Sequence, residues 1–136
     1  MTLVISICVL FYVGFMIFMI SGLFKHNELE IKSSETLPKV SVVVAARNEE
    51  GHIPHLINDL ISQEYPLDKL EVIVVNDRST DDTTAILADA SDNYAFIKVI
   101  TIDQVSKDMT PKKNALTRGI EAAVGEIIVL TDADCR

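Results

Sequence analysis

The sequence predicts an α/β fold, a parallel sheet of about four strands with flanking helices, preceded by one transmembrane helix. Three observations carry that reading. The chain opens on a long uncharged run, the remainder holds four short runs rich in Val and Ile, and helical periodicity fills the intervals between those runs.

The opening run comes first. From Thr2 to Phe24 there are 23 consecutive uncharged residues, among them Ile5, Leu10, Phe11, Phe15, Met16, Ile17 and Ile20. A helix that long reaches roughly 35 Å at about 1.5 Å per residue, enough for a hydrocarbon core about 30 Å thick. Residues 1–24 are therefore expected to form a transmembrane helix. A cleaved secretory leader is the competing reading. No Lys or Arg precedes the run, however, and Ile20-Ser21-Gly22-Leu23-Phe24 is a poor cleavage site. Lys25, Lys32 and Lys39 follow the span and nothing basic precedes it except the amino terminus, so the positive-inside tendency places the soluble part in the cytoplasm. The expected location is the inner or plasma membrane, single-pass, with the soluble domain facing the cytoplasm.

Residues 25–38, "KHNELEIKSSETLP", lack an apolar period and read as a linker, which leaves residues 39–136 for one small domain. Cys8 and Cys135 are too few for a disulfide framework. A formal charge of -8 argues against a nucleic-acid partner, because such a surface needs a basic patch.

The soluble elements alternate. "KVSVVVAA" (39–46), "LEVIVVND" (70–77), "AFIKVITI" (95–102) and "EIIVLTD" (126–132) read as strands, several of them apolar almost throughout, as strands covered on both faces must be. Ile53, Leu56, Ile57, Leu60 and Ile61 fall at i, i+3, i+4, i+7 and i+8, one face of a helix that tolerates Pro54 in its first turn. Ser79 or Thr80 can cap a second helix, with Asp81 and Asp82 in its first turn. Thr110-Pro111 opens a third, with Ala115, Leu116, Gly119, Ile120 and Ala123 inward and Gly125 as its stop. The order is β-α-β-α-β-α-β.

In such sheets ligands bind beyond the carboxyl ends of the strands. Arg47-Asn48-Glu49-Glu50, Asn76-Asp77-Arg78-Ser79 and Asp132-Ala133-Asp134 follow the first, second and fourth strands. Strands lie about 4.8 Å apart, so groups on near neighbours converge within roughly 10 Å. Loops after strands are polar in any case, and each position alone has that simpler explanation. Asp132 and Asp134, at i and i+2 of an extended segment, point the same way. Their hard oxygens suit Mg²⁺ or Mn²⁺. Lys112 and Lys113 stand at a helix start that favours anions, and one of them reads as an ordinary solvated lysine. His52 and His55 lack a third ligand nearby and read as surface residues.

Taken together, "VSVVVAARNEE", "VIVVNDRSTDDT", "KKNALTRGI" and "EIIVLTDAD" resemble, in order and spacing, the amino-terminal half of family 2 glycosyltransferases with the Rossmann-like GT-A fold, over residues 39–134. The resemblance implies a nucleotide-diphosphate sugar, a UDP-sugar first, and a lipid or polysaccharide acceptor. It implies that Ala46, Arg47 and Glu49 line the nucleotide pocket and that Asp77 accepts hydrogen bonds from the base. Asn76 stands where the family usually has an acidic residue and takes no assigned role. Lys112 would approach the donor phosphates, although Thr117 stands where an Asn is common. Asp132 would touch ribose or metal-bound water, and Asp134 would reach the divalent cation. The family's general base and acceptor surface lie after the D-x-D, where this chain has two residues, so no catalytic base is assigned.

The expectation is thus a C-terminally truncated domain holding the donor and metal half of an inverting enzyme, with an exposed sheet edge and weak or no turnover alone. Two other readings stand beside it. One is a non-catalytic membrane-anchored module that binds nucleotide or a partner. The other is a receiver-type signalling domain that binds Mg²⁺.

Overall fold

A computed structural model describes residues 2–23, 37–104 and 106–135. The chain divides into two compact units, Met1–Lys32 and Ser33–Arg136. In the first, α1 spans Thr2–Leu23 and is apolar all round, without acidic or basic residues in its end turns. Its stretch Leu3–Gly22 is long and apolar enough to cross a membrane. Most of the expected linker, including Lys25 and Lys32, lies outside the described residues, as does Arg136.

The second unit follows the alternating pattern. Its elements are β1 (Val40–Ala46), α2 (Ile53–Ser62), a 3-10 turn (Leu67–Lys69), β2 (Leu70–Asp77), α3 (Thr83–Asn93), β3 (Ile97–Ile102), α4 (Pro111–Ala122) and β4 (Ile127–Asp132). All pairings are parallel, and the strand order is β3-β2-β1-β4. The chain steps outward from β1 to β3 and then returns to the other side of β1. The topological switch point therefore lies between β1 and β4, where a cleft opens at the carboxyl edge.

Two apolar layers hold the sheet. Val42, Val44 and Ala46 of β1 with Val72 and Val74 of β2 pack against Ile53, Leu56 and Ile57 of α2 and Leu87 and Ala90 of α3. The alternate residues Val43, Ile73 and Val75 pack with Ile102 and with Ala115 of α4. Period-2 alternation thus sends successive residues to opposite helical layers, which is why β1 and β2 are apolar throughout.

Gly119 lies where α4 crosses the sheet. A Cβ there would stand 2.3 Å from Val43 Cγ1 and 3.1 Å from Val75 Cγ2.

Three expectations change. The second helix is not capped by Ser79 or Thr80; it begins at Thr83 after Asp82. Ser79 Oγ instead accepts from the Asn48 N–H, and Thr80 N donates to Asn48 Oδ1, so both residues join their loop to the β1–α2 loop. Asp81 stands before the helix and accepts from the Thr83 N–H.

Gly125 is not a left-handed helix stop, since α4 ends at Ala122 and no glycine has positive φ among the described residues. It is needed for close approach. A Cβ at Gly125 would lie 2.6 Å from the Ser41 backbone N, and its own N–H donates to Ser41 Oγ.

β4 is not covered on both faces. Ile127, Ile128, Val129 and Leu130 are 41–51% exposed, and β1 is the strand that pairs with it among the described residues.

At the amino-terminal edge of the sheet sits a buried carboxylate. Glu71 accepts from Lys98 Nζ at 2.6 Å, from Ser41 Oγ at 2.5 Å and from the Val124 N–H at 3.0 Å. Burial raises its pKa, but the hydrogen bonds from Lys98, Ser41 and Val124 outweigh that and hold it near 2, against an ordinary 4.5. The group ties β1, β2, β3 and the α4–β4 turn together, far from the carboxyl edge.

Candidate nucleotide and metal site at the carboxyl edge

The register places the polar residues. Ala46 pairs with Asn76 of β2, and Ala45 pairs with Asp132 of β4. Asp77 follows Asn76, so Asp77 and Asp132 flank β1 at one end of the sheet, two strand spacings or about 10 Å apart. Parity puts both on one face: Asp77 shares its side with Val75, and Asp132 with Ala45, which packs against the α4 layer.

A cleft of about 230 Å³ at the switch point is lined by Ala45, Ala46, Glu49, Lys112, Asp132, Ala133 and Asp134. Five of the expected residues, Ala46, Glu49, Lys112, Asp132 and Asp134, thus share one cavity. Arg47, exposed, and Asp77 are not in its lining. Arg47 follows Ala46 on the β1–α2 loop, and Asp77 ends the neighbouring strand.

Ala133 explains how the two carboxylates are held. It is 4% exposed and belongs to the core layer beneath α2, which anchors the motif between its acidic neighbours. The segment is not extended, as the sequence pattern suggested: β4 ends at Asp132, and a turn follows that is closed by the Cys135 N–H onto Asp132 O at 3.4 Å.

That turn brings in a group the sequence reading missed. Donor atoms of Asp132, Asp134 and Cys135 lie within 4.8 Å of one another. The two hard carboxylates suit a divalent cation of the Mn²⁺ or Mg²⁺ kind, whereas a soft thiol is a poor ligand for such an ion and Cys135 is a neighbour of the pair.

Lys112 projects from the first turn of α4, after Thr110 and Pro111. Its Nζ lies 2.7 Å from Asp132 Oδ1 and 2.8 Å from Oδ2. The hydrogen bond to Asp132, then the charges of Asp132, Asp134 and Cys135, raise the ammonium pKa above the ordinary lysine value. A cation and an anion sink therefore already coexist at the rim.

The β1–α2 and β2–α3 loops are laced together. Glu49 N donates to Thr83 Oγ1, Glu50 N to Asp81 Oδ2, and Asp82 N to Glu50 Oε2. Asn76 is buried, donates to Thr84 Oγ1 and accepts from the Ser79 N–H, which makes it a brace for this loop pair. Asn48 and Arg78, one after each strand, both have positive φ, 56° and 54°. Asn tolerates that region, whereas for Arg it costs on the order of 1 kcal/mol or more.

Arg78 forks the Asp77 carboxylate, Nε to Oδ1 at 2.7 Å and Nη2 to Oδ2 at 3.1 Å. The Asp77 side chain is 6% exposed. His52 Nδ1 donates to Glu49 Oε2, 2.8 Å away, and the residue is exposed, as is His55; the surface reading of both matches their placement.

An acidic rim at the switch point of a β3-β2-β1-β4 parallel sheet defines a Rossmann-like domain of the GT-A kind. Residues 41–136 match the family described as glycosyl transferase family 2, and the chain belongs to that family.

Among curated proteins it is 37% identical over 124 residues to the probable glycosyltransferase YdaM of Bacillus subtilis, covering 86% of this chain and 29% of that protein. It is 38% identical over 112 residues to the beta-monoglucosyldiacylglycerol synthase of a Nostoc species, covering 82% and 23%. Among solved structures, the mannosyltransferase PcManGT of Pyrobaculum calidifontis, in complex with GDP-Man and Mn²⁺, superposes with a TM-score of 0.63 at 30% identity, over 82% of this chain and 32% of that one. The chain spans under a third of the length of these curated relatives.

The receiver reading is thereby overturned. In that fold β1 sits between β2 and β3, whereas here it sits between β2 and β4.

Proposed function

We propose that this chain is the donor- and cation-binding part of a membrane-anchored glycosyltransferase that moves a sugar from a nucleotide diphosphate to an acceptor. The observation that carries the reading is the single cleft at the β1/β4 switch point, where Ala46, Glu49, Lys112, Asp132 and Asp134 meet. Family membership, and likeness to a mannosyltransferase solved with GDP-Man and Mn²⁺, support a nucleotide sugar and a divalent cation as its ligands. The organisation follows as residues 1–24 for the anchor, 25–38 for the linker and 39–136 for the catalytic-domain portion.

Each residue has a task set by its place. Ala46, small and at the end of β1, lets backbone approach the nucleotide, and Arg47 and Glu49 border it on the same loop. Asp77 accepts from the base. Asp134 and Asp132 hold the cation, Mn²⁺ or Mg²⁺. When bound, that ion supplies Lewis-acid stabilisation to the leaving diphosphate. Lys112 adds a positive charge at the phosphate end, beside the helix start whose free N–H groups favour anions.

A UDP-sugar is the first donor to test, since UDP-GlcNAc and UDP occur in complexes of the similar Staphylococcus aureus TarS fragment. A lipid acceptor suits a protein carrying an apolar helix and related to a glycolipid synthase. The general base is assigned to no residue of this chain.

Calorimetric titration tests the proposal. UDP should bind in the presence of Mn²⁺ or Mg²⁺, and Asp134→Ala should remove that binding. UDP binding that ignores both the cation and Asp134 would contradict it. The alternative of a non-catalytic binding module gives the same titration, but leaves the intact protein without sugar transfer.

A further inference from the structure

Arg78 occupies a backbone conformation, φ 54°, that glycine adopts without cost, and yet the position carries a long cationic side chain. That side chain closes on Asp77 with two parallel hydrogen bonds, and among the described residues no other partner reaches this carboxylate. A carboxylate has about four acceptor positions and a guanidinium five N–H donors. The fork uses two of each, so about two acceptor positions and three donors remain. The Arg78 side chain is 24% exposed, against 6% for Asp77, so the guanidinium is the more accessible member of the pair.

Resting on the donor-site reading, we infer that Arg78 is a base-positioning and specificity residue. It holds the Asp77 carboxylate aimed, and it presents its remaining N–H groups to a carbonyl of the nucleobase. The pair offers an acceptor next to a donor. Its complement is a ring N–H beside a carbonyl, the edge that uracil and guanine present and that adenine and cytosine do not. Asn48, the other positive-φ residue, needs no such account, since its side chain accepts from Thr80 and closes the loop pair.

The loop lacing seats the residue. Ser79 N–H donates to Asn76 and Ser79 Oγ accepts from Asn48, which fixes the backbone on the far side of Arg78. Arg78 is thereby held in the left-handed region by its neighbours on both sides, a form of stored strain found at ligand clamps.

The test is titration of the full chain in detergent micelles with Mn²⁺ present, using UDP, ADP and inorganic pyrophosphate as probes. Arg78→Gly keeps the backbone conformation, and Arg78→Lys keeps the charge beside Asp77 without the fork. Loss of charge-assisted hydrogen bonds predicts about a tenfold weaker affinity for UDP in the glycine variant and about threefold in the lysine variant. Pyrophosphate, which has no base, should change less than about twofold, and the preference for UDP over ADP should narrow. If the glycine variant fails to fold by circular dichroism, the lysine variant decides.

Equal losses of UDP and pyrophosphate, or an unchanged UDP affinity in the lysine variant, overturn the role of Arg78. An unaltered protein that binds pyrophosphate but not UDP overturns the donor site itself, and that result is distinct from either.

Discussion

The Lys112 ammonium sits 2.7 Å from one oxygen of Asp132 and 2.8 Å from the other, so the carboxylate that opens the D-x-D is already countered by an internal cation. A divalent ion must share Asp132 with that lysine. Lys112→Ala is therefore expected to tighten Mn²⁺ binding without nucleotide by roughly two- to fivefold, the range of exposed ion pairs. The same variant should weaken UDP binding in the presence of Mn²⁺. Titrations of the metal alone and of the nucleotide separate the two effects. Weaker binding in both would assign Lys112 a structural role.

Gly125 and Gly119 make a graded pair. Alanine at 119 meets the fully buried side chains of Val43 and Val75, and Val43 must move to admit it, but no backbone atom stands in its way at so short a distance. Overpacking of that kind costs about 1–3 kcal/mol. Alanine at 125 meets the Ser41 backbone N at 2.6 Å and displaces a strand. Thermal denaturation should show both variants destabilised, Gly125→Ala more so.

Glu71 sets an acid limb on stability. Its folded-state pKa near 2 lies below the ordinary 4.5, so its stabilisation is complete above about pH 4.5 and is lost as pH falls toward 2. A depression of that size corresponds to a stabilisation on the order of 3 kcal/mol at neutral pH. Denaturant unfolding followed from about pH 6 down to about pH 2.5 should show the loss, and Glu71→Gln should flatten it. A variant with an unchanged acid limb would mean that the buried network does not act through this proton.

Much of this architecture was legible in the residues because its cause is local. The Val and Ile runs gave the strands, and Ile53, Leu56 and Ile57 gave the buried face of α2 from spacing alone. Five of the site residues in one cleft follow from alternation, since parallel strands deliver their ends to one edge.

The rest depended on partners far along the chain. Ser79 and Thr80 look like caps until Asn48, about 30 positions earlier, binds them. Gly125 looks like a helix stop until Ser41 is placed against it. Glu71 hides within an apolar strand, and only the β1–β2 register, which sets it beside Ser41, reveals its network. Cys135 joins the carboxylates because the chain turns after Asp132, and no periodicity announces a turn of that kind.

Asp77, Asp132 and Asp134 acting on one nucleotide–cation complex at a single rim is the central claim. Paramagnetic NMR on isotopically labelled protein tests it most directly, with UDP and trace Mn²⁺ added. The amide signals of Ala133, Asp134 and Cys135 should broaden first, while Mg²⁺ with UDP shifts Ala46, Arg47 and Asp77 and leaves Glu71 and Lys98 unmoved. Broadening centred at the amino-terminal edge, or a UDP response that spares Asp77 while the metal still binds Asp134, would contradict it.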